Sequence, residues 1–399
     1  MPDAFIYDTV RTPRGKGREG GALHDIAPIE LQKILIDATI ERNSLDPAAI
    51  GDLILGCVTQ VGDQGGNIAK VTALYSDLPA SVPGIKINRY CTSGLDACNF
   101  AAMKVLSGLD DVVLAGGVES MSRVSMLTDN ASFYSDPTMI KAARFVPMGL
   151  AADLIASLDG ISRNECDEYA VRSQQRAARA QADGAFAASL VKVRNVIDDE
   201  SVRGSVTVEK LSSFDALFEE IGKKGYEAVF KKSFPDLGEM RYVHHAGNSP
   251  AIVDGASLVL IGSAEAAKTH GLSARARIRA MSNVSDNELL ALTGGITATE
   301  VVLNRAGMSY FDIDLVEFNE AFASTSIKFL RETEWDENQV NVNGGAIALG
   351  HAMGATGATL VGTVLDELER RNLSTGLIAV SGAAGIGTAT IIERVQERI

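Results

Sequence analysis

Four cysteines, five histidines and one tryptophan in 399 residues leave little from which to build a metal centre or a disulfide scaffold. The cysteines stand at 57, 91, 98 and 166, form no CxxC pair and keep no metal-ligand spacing from the histidines. That usage points to a reducing compartment without structural disulfides. Positive charge is also short. Thirty-seven Lys and Arg face 51 Asp and Glu, and a net charge of −14 argues against a general nucleic-acid surface. No apolar run reaches the ~20 residues that span a bilayer. The chain enters a strand-like stretch, Ala4–Asp8, without a signal or transit pattern, so cytoplasmic residence is the expectation.

What is plentiful is glycine, 38 residues, on an otherwise ordinary globular background. The length exceeds one typical core, so two or three subdomains are expected. Short apolar runs alternate with helically spaced ones. Strands are expected near Asp52–Cys57, Asp111–Gly117, Gly255–Ser263, Arg277–Met281, Asp314–Asn319, Leu377–Val380 and Thr388–Glu393. Helices are expected near Pro28–Arg42, Gly65–Leu74, Ala264–His270, Thr299–Ala306 and Ala321–Leu330. This alternation predicts an α/β protein with a buried, parallel or mixed sheet. The loop Arg11–Gly21 lacks the GxxxxGK[ST] pattern and reads as a plain loop.

Two stretches stand out. In Ile87-Asn88-Arg89-Tyr90-Cys91-Thr92-Ser93-Gly94 a polar turn ends in a cysteine. A helix follows through Leu95, Cys98, Ala102, Val105 and Leu106, closed by Gly108. A helix N-terminus favours a thiolate over a thiol, which makes Cys91 a candidate nucleophile; a small buried hydrophobe is the other reading. The second stretch, Asn341–Gly357, holds glycines 344, 345, 350, 354 and 357 around His351 and runs into another helix. A strand and the loop Ser381–Gly387 follow. In order and spacing this matches the first half, where the Cys91 turn, its helix and a strand lead to Gly116-Gly117. Two related α/β units, each offering a loop to one shared site, are expected.

Between them, from about Met121 to Pro250, the pattern is irregular. Exceptions are a helix over Arg163–Asp183 and a strand-like Leu190–Ile197. Long insertions often carry substrate contacts. The insertion's cations, Lys192, Arg194, Arg203, Lys210, Lys223, Lys224, Lys231, Lys232 and Arg241, fit a solvated face or an anionic ligand. Its aromatics Phe133, Tyr134 and Phe145 fit core packing or an acyl pocket.

These loops supply what acyl transfer through sulfur needs. Cys91 is a candidate nucleophile, and His351 is a candidate base or an imidazolium that holds a thiolate. Glycine backbones near 344–345 and 382–387 can point N–H groups at an oxyanion. Asn319, at a strand end in Asn-Glu-Ala-Phe, can fix a water or a carbonyl.

On "YCTSGLDA", "VVLAGGVESMS", "FNEAFA", "NVNGGAIALGH" and "GIGTATIIERV", together with the early "DTVRTPRGK", the chain resembles the thiolases from end to end. The resemblance implies a duplicated five-layered α-β-α-β-α fold with an inserted loop domain. Residues 1–120 would form the N-terminal half, completed by about 252–272. Residues 121–251 would form the loop domain and 273–399 the C-terminal half. It implies Cys91 as acyl-accepting nucleophile, His351 as its activator and Asn319 as the residue that positions a water. The backbone of Cys91 with Ala383 and Gly382 would make an oxyanion site, and Ser249, Met148, Phe322 and His245 would face substrate and coenzyme A. Coenzyme A would be a co-substrate, with no tightly bound cofactor and no metal, and the assembly a homodimer or homotetramer. The implied reaction is thiolytic cleavage of a 3-ketoacyl-CoA, or the reverse Claisen condensation.

Three departures qualify this. Ser381 stands where the family has a second catalytic cysteine, and a serine hydroxyl is a poor general base. Pro250 occupies the site of a CoA-contacting serine, with Ser249 one position early. His244 and His245 precede it, as exposed loop residues or as a substitute proton carrier. Ala352 replaces a proline. A hydrolase or carbon–carbon lyase on this fold, or a weakened partner subunit, therefore remain as alternative readings.

Overall fold

The computed structural model describes residues 3–396; the first two residues of the expected N-terminal half and the last three of the C-terminal half lie outside it. In chain order the N-terminal elements are β1 (Phe5–Arg11), α1 (Pro28–Asn43), β2 (Asp52–Gly56), α2 (Ile68–Tyr75), β3 (Ile85–Ile87), α3 (Ser93–Leu106) and β4 (Val112–Ser120). The insertion contains α4 (Met148–Leu158) and α5 (Arg163–Ala182), and β5 (Val253–Gly262) returns to the sheet. After it come β6 (Ala276–Ser285), α6 (Gly294–Ala306), β7 (Leu315–Phe318), α7 (Ala323–Glu332), α8 (Met353–Arg371), β8 (Thr375–Ser381) and β9 (Ile386–Arg394).

The duplication read from loop order is present in the sheet. The strands run β3-β2-β4-β5-β1 and then β6-β9-β8-β7, where Val340 bridges Val316 beside β7. Counted within its own half, each sheet has its third strand outermost, then second, fourth, fifth and first. The pairing sense also repeats: β2–β4 and β7–β8 are parallel, and β4–β5 and β8–β9 are antiparallel. The halves meet edge to edge over a short stretch, where Phe5 pairs with Arg277 and Ile6 with Ala276.

Layering follows from strands that are apolar on both faces. In β4, Val112, Leu114 and Val118 point to the outer layer of α1 and α2, while Val113 and Ala115 point inward. In β8, Leu377 and Ala379 pack under α6, and Ile378 and Val380 point inward. The inward faces of both sheets meet on α3 and α8, whose Leu95, Ala101, Val105, Val361, Leu365 and Leu368 fill the middle. Each such fully buried aliphatic side chain stabilises the fold by about 1.5–3 kcal/mol. The result is the expected five layers, helix–sheet–helix–sheet–helix.

α3 and α8 start side by side. A Cβ at Gly94 would lie 2.7 Å from the carbonyl oxygen of Gly354, and one at Gly56 2.6 Å from the same oxygen. Glycine at these positions lets the Cys91 helix and the His351 helix begin in contact.

The insertion is helical and irregular. Ser162 and Glu165 form a reciprocal capping box that starts α5. The expected strand Leu190–Ile197 is absent. Arg194 adopts φ +51°, the segment folds back so that Val193 bridges Val196, and Leu190 makes a single bridge to Arg11. Arginines of the early loop are committed to this segment: Arg11 grips Asp199 with two bonds of 2.9 Å, and the Arg14 backbone N–H donates to the same carboxylate.

Candidate active site

Cys91 sits at the end of a turn pinned by its own side chains. Asn88 Oδ1 accepts the Tyr90 N–H at 2.9 Å, and Ser93 Oγ accepts the Arg89 N–H at 2.8 Å. Arg89 pairs with Asp96 of α3 at 2.7 Å. Tyr90, just before the cysteine, is held at φ +50°, a conformation unusual for a bulky residue and found where surrounding structure over-determines it. Burial pushes the Cys91 thiol up to about 12, with the Glu119 carboxylate adding to the effect. The thiolate expected from a helix N-terminus is therefore not the resting form. The N–H groups of Thr92 and Ser93 are already bound to the carbonyls of Arg89 and Tyr90, which leaves less of the helix start to stabilise an anion.

His351 arrives on the equivalent loop of the other half, between Gly350 at φ +97° and the start of α8. Its N–H donates to Ala251 O at 2.9 Å, tying the loop to the end of the insertion. Nδ1 lies 2.8 Å from Thr356 Oγ1, and Thr356 is 3.0 Å from Ala352 O. The hydroxyl has one proton; given to Ala352 O, it leaves Oγ1 to accept from Nδ1–H and leaves the lone pair on Nε2. Nε2 is buried with no partner. Burial first, and the Arg14 charge second, push the imidazole down to about 4.

The pieces converge. Cys91 packs in one apolar cluster with Val253, Ala352 and Met353, next in sequence to His351. A Cβ on Gly382 would lie 3.4 Å from Arg89 O and 3.5 Å from Tyr90 Cβ, so the 381–385 loop abuts the cysteine turn. Asn319, at the end of β7, lines one cavity with Gly344, Gly345, Gly350 and Thr356 of the histidine loop. Both polar atoms of its side chain are buried and without partners. Asn248 O accepts the Ala323 N–H, and Ala251 N–H donates to Ala346 O, so the loop before β5 joins the same assembly.

Not every expected residue has its expected role. Gly382 is unavailable as an oxyanion donor because its N–H is bonded to Ile386 O at 2.7 Å; of that pair only Ala383 stays a candidate. Ser381 Oγ accepts the Gly295 N–H at 2.9 Å. His245, and His244 beside it, are not exposed but fully buried. His245 Nε2 meets Asp167 at 2.7 Å, and its Nδ1 accepts the Gly247 N–H at 3.0 Å. His244 Nδ1 meets Asp153 at 2.7 Å, and the Ser324 N–H points at Nε2. With all four ring nitrogens in use inside the protein, His245 has nothing left for coenzyme A and neither ring is a spare proton carrier. Ser249 Oγ is buried without a partner. Met148 and Phe322 belong to one apolar cluster with Phe218 and Leu289. The insertion's cations divide: Lys223, Lys224 and Arg194 pair with Glu219, Glu220 and Glu30, as a solvated face does. Phe133, Tyr134 and Phe145 form a ring cluster that reaches Tyr90, with centroids 6.3 Å apart for Tyr90 and Phe133.

Three residues escaped sequence reasoning. Thr356 sets the His351 tautomer. Glu119 accepts N–H groups from Val58, Thr59 and Gly354 and the Gln64 amide, tying β4 to the start of α8. Glu320 takes bonds from Tyr169, Ser173 and Ile347, joining α5 to the histidine loop. Glu119 and Glu320 sit inside quoted motifs, and that position was their only signal. Among the described residues no group of three or more His, Cys, Asp and Glu is placed to hold a metal.

Comparison with known proteins decides the family. The profile described as thiolase, N-terminal domain matches residues 4–225, and that of the thiolase C-terminal domain matches 272–394. The chain belongs to the thiolase family. It is 38% identical, over 99% of its length and all of the other, to the 3-oxoadipyl-CoA/3-oxo-5,6-dehydrosuberyl-CoA thiolase of Escherichia coli. It is 37% identical to a steroid 3-ketoacyl-CoA thiolase of Mycobacterium tuberculosis, covering 99% and 95% of the two chains. Human mitochondrial 3-ketoacyl-CoA thiolase superposes with a TM-score of 0.86 at 29% identity, over 99% of both chains. The Bacillus anthracis acetyl-CoA acetyltransferase does so at 0.84 and 31%, again over 99% of both chains. This thiolase is thus an enzyme, an acyltransferase, and its fold is the thiolase fold. No helix among its described residues is long and apolar enough to cross a membrane.

Proposed function

We propose that this thiolase cleaves a 3-ketoacyl-CoA with coenzyme A, through an acyl group carried on Cys91. The observation that carries the reading is the unpartnered Nε2 of His351, its lone pair fixed by the Thr356 contact, on the loop that meets the Cys91 turn. In the first step Nε2 takes the proton from Cys91 Sγ, and the sulfur attacks the 3-keto carbon. The bond between carbons 2 and 3 breaks, and the released enolate of acetyl-CoA takes its proton from the imidazolium. In the second step His351 takes the proton of the CoA thiol, the CoA sulfur attacks the acyl carbon, and Cys91 regains a proton. Both steps put negative charge on a carbonyl oxygen, which asks for preorganised donors. Asn319 with a water, and the backbone N–H groups of Cys91 and Ala383, fill that role. Ser381, whose oxygen accepts the Gly295 N–H, acts as a hydrogen-bond donor and not as a base, because an unassisted serine hydroxyl is a poor proton carrier. His351 then moves both protons, giving one to the enolate in cleavage and taking that same α-proton in condensation.

Residues 1–120 with about 252–272, 121–251 and 273–399 act as two catalytic halves and a substrate-contacting insertion. Coenzyme A is a co-substrate, and Ser249, Met148 and Phe322 lie toward it. The working form is a cytoplasmic homodimer. Supporting this, the edge strand β3 and the helices on either face of it leave Val71, Leu74, Tyr75, Ile85, Phe100 and Met103 exposed along one edge of the sheet. Sedimentation of the wild type as a dimer and of Ile85→Lys as a monomer is expected; a wild-type monomer refutes this assembly.

The deciding experiment is mass spectrometry after mixing with acetoacetyl-CoA and a longer 3-ketoacyl-CoA, with and without free CoA. An adduct on Cys91 that disappears only when CoA is added is expected. An adduct lost in water alone makes the protein a hydrolase, and no adduct with any 3-ketoacyl-CoA overturns the reading.

A further inference from the structure

Beside Asn319 lies a small, deeply set cavity of ≈ 10 Å³, room for about one water. Arg14, Glu317, Asn319, Glu320, Thr356 and Thr363 line it. Its walls carry polar atoms that the protein does not satisfy. Glu317 Oε2, Arg14 Nη1 and both polar atoms of the Asn319 side chain are buried and lack hydrogen-bond partners. Arg14 Nη1 lies 3.6 Å from Asp199, beyond hydrogen-bond reach. Glu317 and Arg14 are 3% and 5% exposed, so bulk solvent does not satisfy them. Buried polar groups of this kind are as a rule bridged by ordered water.

The position of Glu317 follows from the strand. Leu315 and Glu317 share the face of β7 that looks into the central layer, while Val316 and Phe318 face outward. An acidic residue at an inward position is costly unless it serves something. Across the cavity stands Thr356, the residue that receives Nδ1–H of His351.

We propose that Glu317 and Arg14 hold a water in this cavity. The water completes a hydrogen-bond chain from Glu317 through Thr356 to Nδ1 of His351 and makes Glu317 a positioning residue for the catalytic base. The proposal rests on the function given above. Charges agree with the chain. The charges acting on Glu317 are those of Arg14 from the early loop, Glu320 from the turn after β7, Glu367 from α8 and Arg176 from α5. Burial with the two glutamates holds its carboxyl well above the ordinary range, toward the neutral form. Arg14 is then offset only by Asp199, a carboxylate it shares with Arg11, and it lowers the basicity of His351. Ionisation of Glu317 at higher pH offsets Arg14 and makes His351 a stronger base.

The test compares Glu317→Gln, Thr356→Val, Thr356→Ser and the double variant E317Q/T356V. kcat and the rate of Cys91 alkylation by iodoacetamide are followed against pH. Above the pH at which Glu317 ionises, Glu317→Gln is expected to lower kcat about tenfold, one pKa unit of base strength, with KM within about twofold, and so to remove the rise that Glu317 ionisation gives the wild type. Thr356→Val should match it, Thr356→Ser should restore wild-type behaviour, and the double variant should be no worse than either single. A Glu317→Gln profile that superposes on the wild type, or effects that add in the double variant, overturns the proposal. A crystal structure should place a water within hydrogen-bond reach of Glu317 and Arg14, and a dry cavity overturns it even if Glu317→Gln fails to fold. Alkylation needs no substrate, so failure of the thiolase reading, seen as a wild type that forms no acyl adduct, is distinguishable from failure of this chain.

Discussion

The Cys91 turn and the His351 loop occupy the same place in the two halves. Each leaves the third strand position and enters the central helix, yet they are built differently. The cysteine turn is stitched by side chains, Asn88, Ser93 and the Arg89–Asp96 pair. The histidine loop is stitched by backbone bonds from His351 and Ala251 and by glycines at positive φ. Burial pushes the thiol up to about 12 and the imidazole down to about 4. Both shifts favour the uncharged form for one reason, that each group has lost water. The resting pair is therefore a thiol and a neutral imidazole, and the proton crosses only when a substrate gives the developing charge an oxyanion site. A preformed thiolate–imidazolium pair, which each loop suggested in isolation, does not fit two groups held in so dry a place.

The sharpest way to break the comparison is to remove the histidine side. His351→Ala should cut the rate of Cys91 acylation by about 10²–10⁴-fold, the usual worth of a positioned base, measured by single-turnover mass spectrometry. Retention of the wild-type rate would mean that Cys91 is activated from elsewhere. The same substitution carries a stability signature. His351 in the folded state sits below the unfolded value near 6.5, so its contribution is fully present above pH ~6.5 and is lost as pH falls toward 4. His351→Asn should flatten the fall of urea stability in that window, by up to about 3 kcal/mol.

The next effect tests the loop that abuts the cysteine turn. Ser381→Cys should raise kcat/KM for condensation and for thiolysis alike, by about tenfold or more, because a thiol near pKa ~8.5 can carry a proton that a serine cannot. Unchanged values in both directions would show that proton carriage at position 381 does not limit turnover.

The smallest catalytic effect belongs to a second histidine. His351 has a free nitrogen, whereas His245 has both in use. His245→Ala should lower stability by about 1–3 kcal/mol, the cost of unsatisfied buried partners at Asp167 and Gly247, and leave kcat unchanged at a temperature where the variant is folded. A large loss of kcat with an unaltered melting curve would reverse the assignment.

Much was legible in the sequence because the signals are local. Apolar runs marked the strands of both sheets except the short outermost β3 and the Val340 position, and most boundaries fall within a few residues. The turn at Cys91 and the glycine loop at His351 were visible as composition, and motif resemblance gave the family. The insertion was legible only as an irregularity. Leu190–Ile197 has strand composition, but the positive φ of Arg194 folds it back, and no short-range pattern announces that. His244 and His245 read as loop residues because their partners, Asp153 and Asp167, lie about 80–90 residues away. Glu317 reads as one acidic residue in an apolar strand, and its cavity forms only when β7, α8 and the early loop close around it.

The sequence by itself determined which residues could do chemistry and in which order strands and helices follow one another, since nucleophilicity, basicity and strand period belong to residue types and their spacing. Tertiary structure alone decided which of those residues are in contact, which nitrogens and N–H groups are already taken, and which charge states survive. Those are set by burial and by partners distant in the chain, and a carboxylate, thiol or imidazole titrates according to the water and charges around it, not according to its neighbours in sequence.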